Sequence, residues 1–176
     1  VKRDPLLNIN AEGQFDQAAG VIDVRGVEIS AALGEAQYST LPPRMQKLAR
    51  EHGVQGKLRA HAEGQVRLRE PRDSTGRAHV ELHDARVTAA GGTWPVSELT
   101  LDASVENHAG TAKLAAHMLQ GTLSADADVQ VADALPFTLD WHVQDMRIED
   151  ALRAMDNEQK FAGRVTSNGK VAGNLA

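Results

Sequence analysis

The stretch VQGKLRAHAEGQVRLR, Val54 to Arg69, decides the fold class. Its even positions read Val54, Gly56, Leu58, Ala60, Ala62, Gly64, Val66 and Leu68. Its odd positions read Gln55, Lys57, Arg59, His61, Glu63, Gln65, Arg67 and Arg69. Unbroken alternation of this kind marks a strand with one apolar and one polar face. At the usual rise it would extend about 50 Å, well beyond the common strand of about five or six residues. One long strand is expected, or two collinear pieces bent at Gly64.

The same grammar recurs downstream. Ala78, Val80 and Leu82 form one apolar face; Leu99, Leu101, Ala103 and Val105 form the next, and Ala112, Leu114, Ala116 and Met118 another. At Leu119 the phase flips, and Leu119, Gly121, Leu123, Ala125, Ala127, Val129 and Val131 carry it on, which predicts a bulge or a tight turn. Leu135, Phe137, Leu139, Trp141 and Val143 complete the series. Asn107-His108-Ala109-Gly110 and Asp73-Ser74-Thr75-Gly76 have the composition of connecting turns, so an antiparallel meander is expected.

Two stretches leave the β rhythm. In Leu41 to Gly53, Met45, Leu48, Ala49 and His52 fall at helical spacing. Ser39 or Thr40 is the expected cap, Pro42 and Pro43 suit the first turn, and Gly53 suits the stop. Ile148 to about Asp156 places Ile148, Ala151, Leu152 and Met155 on one face, with Glu149 and Asp150 in the first turn where the helix dipole favours acids. The helices head an internal repeat, offset so that Leu41, Met45, Leu48, Val54, Gly56 and Leu58 match Ile148, Leu152, Met155, Phe161, Gly163 and Val165. This divides the chain into N-terminal strands over 1–40, a repeat unit of helix then β-meander over 41–147, and the start of a second, truncated unit over 148–176.

Composition narrows the function classes. With 176 residues and 41% hydrophobic content the chain can bury a core and is not disordered. It has no apolar run near the roughly 18 residues of a membrane-spanning helix. A net charge of −5 argues against nucleic acid, which calls for a clustered basic face. The absence of cysteine removes disulfides, thiol catalysis and cysteine zinc sites. The chain starts at Val1 without a basic n-region or apolar h-region, so it reads as a fragment whose anchor would lie elsewhere in a longer parent.

FTLDWHVQDMRIEDAL, Phe137 to Leu152, followed by FAGRVTSNGKVAG, Phe161 to Gly173, is similar to the AsmA-like family and its relatives in the translocation-and-assembly-module group. VQGKLRAHAEGQV, Val54 to Val66, looks like the second element again, and LQGTLSA, Leu119 to Ala125, also fits. The likeness covers most of the chain from about Leu41. It implies a large periplasmic envelope protein whose parent is held in the bacterial inner membrane by one N-terminal helix. It also implies a long β-sheet curled into an apolar groove, through which phospholipid acyl chains pass between membranes or which serves outer-membrane assembly. The family offers no catalytic residues to transfer, and the anchoring helix is not in this sequence.

Candidate chemistry is sparse. Strand alternation puts His79, Glu81 and His83 on one face, a possible zinc set, although a solvated polar face predicts the same residues. Asp126 and Asp128, with Asp133 nearby, lack the glycine-turned loop that calcium sites use. Arg67, Arg69, Arg72 and Arg77 cluster around Glu70-Pro71 and would suit anionic headgroups or a solvated turn. Neither a phosphate loop nor a nucleophile elbow is present. Trp141 sits on an apolar face and reads as core, while Trp94 follows Gly91-Gly92 and reads as packing at a turn.

The expected fold is mainly β: a curved antiparallel sheet, groove or half-open sandwich, of long amphipathic strands with two short helices. The expected function is non-enzymatic lipid handling without cofactor or metal, with Leu58, Val66, Leu123, Val129, Phe137 and Leu139 facing acyl chains. The expected partners are phospholipid acyl chains and envelope proteins. The alternative is a closed structural or adhesive β-repeat module that binds protein partners. The two differ in whether the apolar face is covered.

Overall fold

The structure, a computed structural model, describes residues 7–34, 38–39, 41, 43–89, 91–131, 135–157, 159 and 161–174. Of residues 44, 45, 48 and 89 it describes only the backbone. In chain order the elements are β1 (Leu7–Asp16), β2 (Val21–Leu33), α1 (Pro43–Glu51), β3 (Gln55–Arg67), β4 (Thr75–Ala89), β5 (Gly92–Glu106), β6 (Ala109–Met118), β7 (Gly121–Gln130), β8 (Pro136–Arg147), α2 (Ile148–Ala154) and β9 (Arg164–Asn174). Every strand pairs antiparallel with its sequence neighbours, giving one nine-stranded sheet in the order β1 to β9 that does not close on itself.

The Val54–Arg69 pattern forms a single strand, β3. Gly64 does not split it, but sits opposite a bulge in β2, where Arg25 and Gly26 are inserted between the paired Val24 and Val27. An added Cβ at Gly64 would collide with the carbonyl oxygen of Thr75 and lie 2.6 Å from Gly76 Cα. The glycine is there because the neighbouring backbone comes that close.

Two turns are two-residue hairpins with both central residues left-handed, the form whose twist matches the strands it joins. Asn107 (φ +51°) and His108 (φ +63°) link β5 to β6, and Leu119 (φ +51°) with Gln120 (φ +59°) link β6 to β7. The phase flip at Leu119 is therefore a tight turn, and Leu119 belongs to it rather than to β7. A 3-10 turn at Pro71–Asp73 precedes β4.

Bulges explain where alternation fails. Asp84 (φ +51°) in β4 and Asp145 (φ +55°) in β8 are left-handed residues inside strands. Each shifts the apolar set by one position, from Leu82 to Ala85 and from Val143 to Met146.

Both helices lie in connections that follow even-numbered strands, so a meander places them at the same end of the sheet. Ser39 lies four residues ahead of the first helical residue of α1, too far to cap it, and shares a short 3-10 turn with Tyr38. Thr40 and Pro42 lie outside the described residues, as do the side chains of Met45 and Leu48. Tyr38, Leu41 and Ala49 pack on Leu7 and Leu33, and the Tyr38 hydroxyl donates to the Val54 carbonyl at 2.8 Å. Glu149 and Asp150 occupy the first turn of α2 as expected, and α2 seats against β5, where a Cβ on Gly92 would lie 2.8 Å from the Ala154 carbonyl oxygen.

No second layer lies over the rest of the sheet among the described residues. The molecule exposes 12021 Å² of surface. A compact monomer of 18.9 kDa would expose about 8,300 Å². The excess is what a single layer costs.

Candidate functional site: an open apolar face

Residues directly opposite in an antiparallel ladder point to the same face. Reading the register across the strands therefore assembles that face row by row. One row runs Leu7, Ala31, Leu58, Leu82, Leu99, Ala116, Leu123, Val143. A second runs Ile9, Ile29, Ala60, Val80, Leu101, Leu114, Ala125, Trp141. In the third, Ala11, Val27, Ala62, Ala78, Ala103, Ala112 and Ala127 lead to Leu139 and Val171. The fourth contains Gly13, Gly64, Gly76, Gly110 and Gly173 between Val24, Val105, Val129 and Phe137. No charged residue enters any of these rows.

Side chains are large in the first two rows and small across most of the third and fourth. Alanines and glycines thus make a low floor that runs across the strands, beside a taller wall of leucines. At the usual interstrand spacing, nine strands give this floor a length of about 38 Å. The helices cover only the wall end, where Leu82, Ala85 and Val96 form a buried cluster with Leu58, Leu99 and Met118 packed against it. Exposure grades along the strands, from 7% at Leu82 to 41% at Val66 and 40% at Val105.

All six residues singled out from the sequence lie on this face. Val129 pairs with Phe137, Leu139 with Ala127 and Leu123 with Val143, so four of the six are neighbours on β7 and β8. Leu58 and Val66 are on β3, four strands and about 19 Å away. Leu58 and Leu123 belong to the wall, and Phe137 and Val129 to the glycine row. The sequence reading missed the alanine floor. Its signal was present in the alternation, but only the pairing register stacks Ala62, Ala78, Ala103, Ala112 and Ala127 into one line.

At the β9 side two aromatics lie over glycines. A Cβ on Gly169 would collide with the indole of Trp141, and one on Gly173 would lie 3.1 Å from Phe137 Cε1. Both aromatics restore side-chain cover where the edge strand has none. Trp94 sits in β5, paired with Val87 beside the turn.

The opposite face is polar and carries the remaining candidates. His79, Glu81 and His83 do share it. Glu81 lies between the two imidazoles, 3.3 Å from His79 Nε2 and 3.6 Å from His83 Nε2, while Asp102 holds His79 Nδ1 at 2.6 Å. Hydrogen bonds to Asp102 and then Glu81 raise the His79 pKa, and the His79 and His83 bonds lower that of Glu81. Both ring nitrogens of His79 are engaged by carboxylates, and no group of three among the described residues is arranged to hold a metal ion. Asp126 and Asp128 lie on strand β7, with Asp126 between Lys113 and Asp140 in the polar ladder; Asp133 lies outside the described residues.

The arginine cluster falls at the sheet end opposite the helices. Arg77 pairs with Glu63, Arg67 and Arg69 share a depression with Asp16 and Glu70, and Arg72 adjoins Asp73. Four carboxylates thus interleave with the four arginines, which leaves the rim without net positive charge and fits a solvated strand end.

No described helix is long and apolar enough to cross a membrane. No protein-family model, curated protein or solved structure matches the chain.

Proposed function

We propose that the open apolar face is a non-catalytic docking surface for lipid acyl chains, in a segment of a larger periplasmic envelope protein that moves phospholipid between membranes or serves outer-membrane assembly. The observation that carries this reading is the continuous, uncharged floor of alanine and glycine beside a leucine wall, uncovered over most of its length. Apolar attraction is non-directional and scales with area, so a smooth aliphatic trough holds a flexible chain without selecting its chemistry. An exposed apolar surface of this extent marks a binding face more often than an idle one. The resemblance of Phe137–Leu152 and Phe161–Gly173 to the AsmA-like family supports the same assignment and supplies the envelope location and the inner-membrane anchor of the parent.

The test is native mass spectrometry of the purified chain, followed by lipid extraction and identification. Bound phospholipid is expected, lost when Ala103→Phe fills the floor and when Leu123→Asp with Leu139→Asp puts charge on both wall and floor, with the far-UV circular dichroism unchanged. A chain that carries no lipid, and takes none from phosphatidylethanolamine and phosphatidylglycerol vesicles, turns the assignment to the structural alternative, in which a protein partner covers the face.

A further inference from the structure

One line across the sheet divides large apolar residues from small ones. It runs through His61, His79, Asp102 and Lys113, which stand in register on the polar face. On the apolar face, the residues one step to either side of it are Val80 and Ala78 on β4, Leu101 and Ala103 on β5, and Leu114 and Ala112 on β6. On β3 the contrast comes at the next step, Leu58 against Gly64. In each pair the larger residue is on the wall side and the smaller on the floor side. These strands have a neighbour on both sides, so the steps are fixed by the interior ladder and not by the sheet's edges.

We propose that two copies pack face to face about a two-fold axis running across the strands along this line, so that each copy's leucine wall seats on the other's floor. Such a rotation reverses the strand direction and keeps the strand order, so every strand crosses over its own counterpart. It sets Leu101 over Ala103 of the second copy, Leu114 over Ala112, Val80 over Ala78 and Leu58 over Gly64, and symmetry makes each contact twice. Large over small is how facing layers interdigitate at the spacing of about 10 Å between stacked sheets. The other face-to-face arrangement, with the axis along the strands, sets leucine on leucine and leaves a void over the alanines. Close-packed apolar interfaces do not keep such voids.

The area suffices. The four rows span about 20 Å along the strands and about 38 Å across them, hence about 760 Å² on each copy. A stable interface takes about 800 Å² from each partner. No charge enters the rows, so their burial leaves no ion unpaired, and the polar face of each copy stays in water as the outer face of a sandwich does. Val105, 40% exposed in the single chain, gains cover. Leu82, already buried at the helix end, marks where the strand ends of the second copy stop. The inference goes beyond the lipid reading and does not rest on it, because the pairing needs only the shape of the face.

The experiment is sedimentation velocity of the whole chain, stripped of lipid, over a concentration series. A monomer–dimer equilibrium that stops at the dimer is expected. Ala103→Leu sets leucine against Leu101 of the second copy and should weaken dimerisation by about tenfold. Adding Leu101→Ala exchanges the large and small residues and should restore the wild-type dissociation constant. Circular dichroism establishes that each variant keeps its strands. The orientation is read from a nitroxide at Thr93→Cys, in a chain that has no cysteine of its own. Thr93 is exposed on β5, nine residues from Asp102, so two labels should lie about 60 Å apart. A separation under about 30 Å would set wall on wall and overturn the proposal. So would an Ala103→Leu variant that dimerises as well as the wild type, or a double variant that does not recover. A stripped chain that stays monomeric at every concentration overturns the pairing and leaves the lipid reading to its own test.

Discussion

Replacing Trp141 with alanine removes the side chain that clamps the β9 edge to the sheet. The indole lies over Gly169, and the two residues are directly paired between β8 and β9. A tryptophan buries about 150–250 Å² in a folded protein, and the lower figure applies where nothing covers the outer face. At about 25 cal/mol per Å² that is worth close to 4 kcal/mol as an upper value. Compaction of the denatured chain removes 10–40% of it, leaving about 2–3 kcal/mol. Urea unfolding followed by circular dichroism measures the loss directly. Hydrogen exchange locates it: amides of Arg164–Asn174 should lose protection while those of β4 and β5 keep theirs. Trp141→Phe should recover about half the loss, since a smaller ring still covers the glycine. A loss below about 0.5 kcal/mol with unchanged protection in β9 would refute the view that this indole holds the edge.

Gly64→Ala should cost about 1–3 kcal/mol in urea unfolding, because its Cβ meets the Thr75 carbonyl and Gly76 Cα from a backbone at φ +157°. Gly91→Ala is the control: its φ is +77° but nothing lies within 4 Å, so only the backbone term of about 1 kcal/mol remains. Equal losses at the two sites would show that close approach at Gly64 is immaterial. The His79–Glu81–Asp102 cluster should make stability depend on pH with a definite sign. His79 has a raised pKa in the folded chain, so its contribution is complete below its unfolded value of about 6.5 and fades as pH rises through the folded value. Glu81 has a lowered pKa, so its contribution is present above about 4.5 and fades as pH falls through the folded value. The urea midpoint of the wild type relative to His79→Gln should therefore be highest between these limits and converge toward alkaline pH. A difference independent of pH would show that the carboxylates do not act on the imidazole's charge.

The strands that were legible from sequence were those whose alternation ran unbroken. Val54–Arg69, Leu99–Val105 and Ala112–Met118 needed only period two, and Asn107-His108 announced its hairpin because asparagine tolerates left-handed backbone. Strand β2 was obscured because its apolar positions change parity at Arg25–Gly26. A bulge inserts a residue without any loss of hydrophobicity, so a periodicity count sees only a broken rhythm. The signal that survives is an aspartate at the break, as at Asp84 and Asp145. The zinc set was legible as a shared face and no further, because alternation fixes the side of the sheet but not the rotamers. Glu81 and Asp102 engage both nitrogens of His79.

A helix precedes a strand at both places that the expected repeat matches, α1 before β3 and α2 before β9, yet the matched residues differ in environment. Val54 packs into the buried cluster, whereas Phe161, its counterpart, is 60% exposed. The difference lies in the neighbours: β3 has a strand on each side, and β9 is an edge.

The sequence by itself determined that the chain alternates apolar and polar residues over long strands, where two helices interrupt them, and which residues turn the chain. These are local properties, set by the period of the backbone and the left-handed tolerance of a few side chains. Only the tertiary structure decided that the strands form one open layer and that the alanines align into a floor. Each of these depends on cross-strand register, and register is fixed by bulges and turn lengths acting together across the whole sheet.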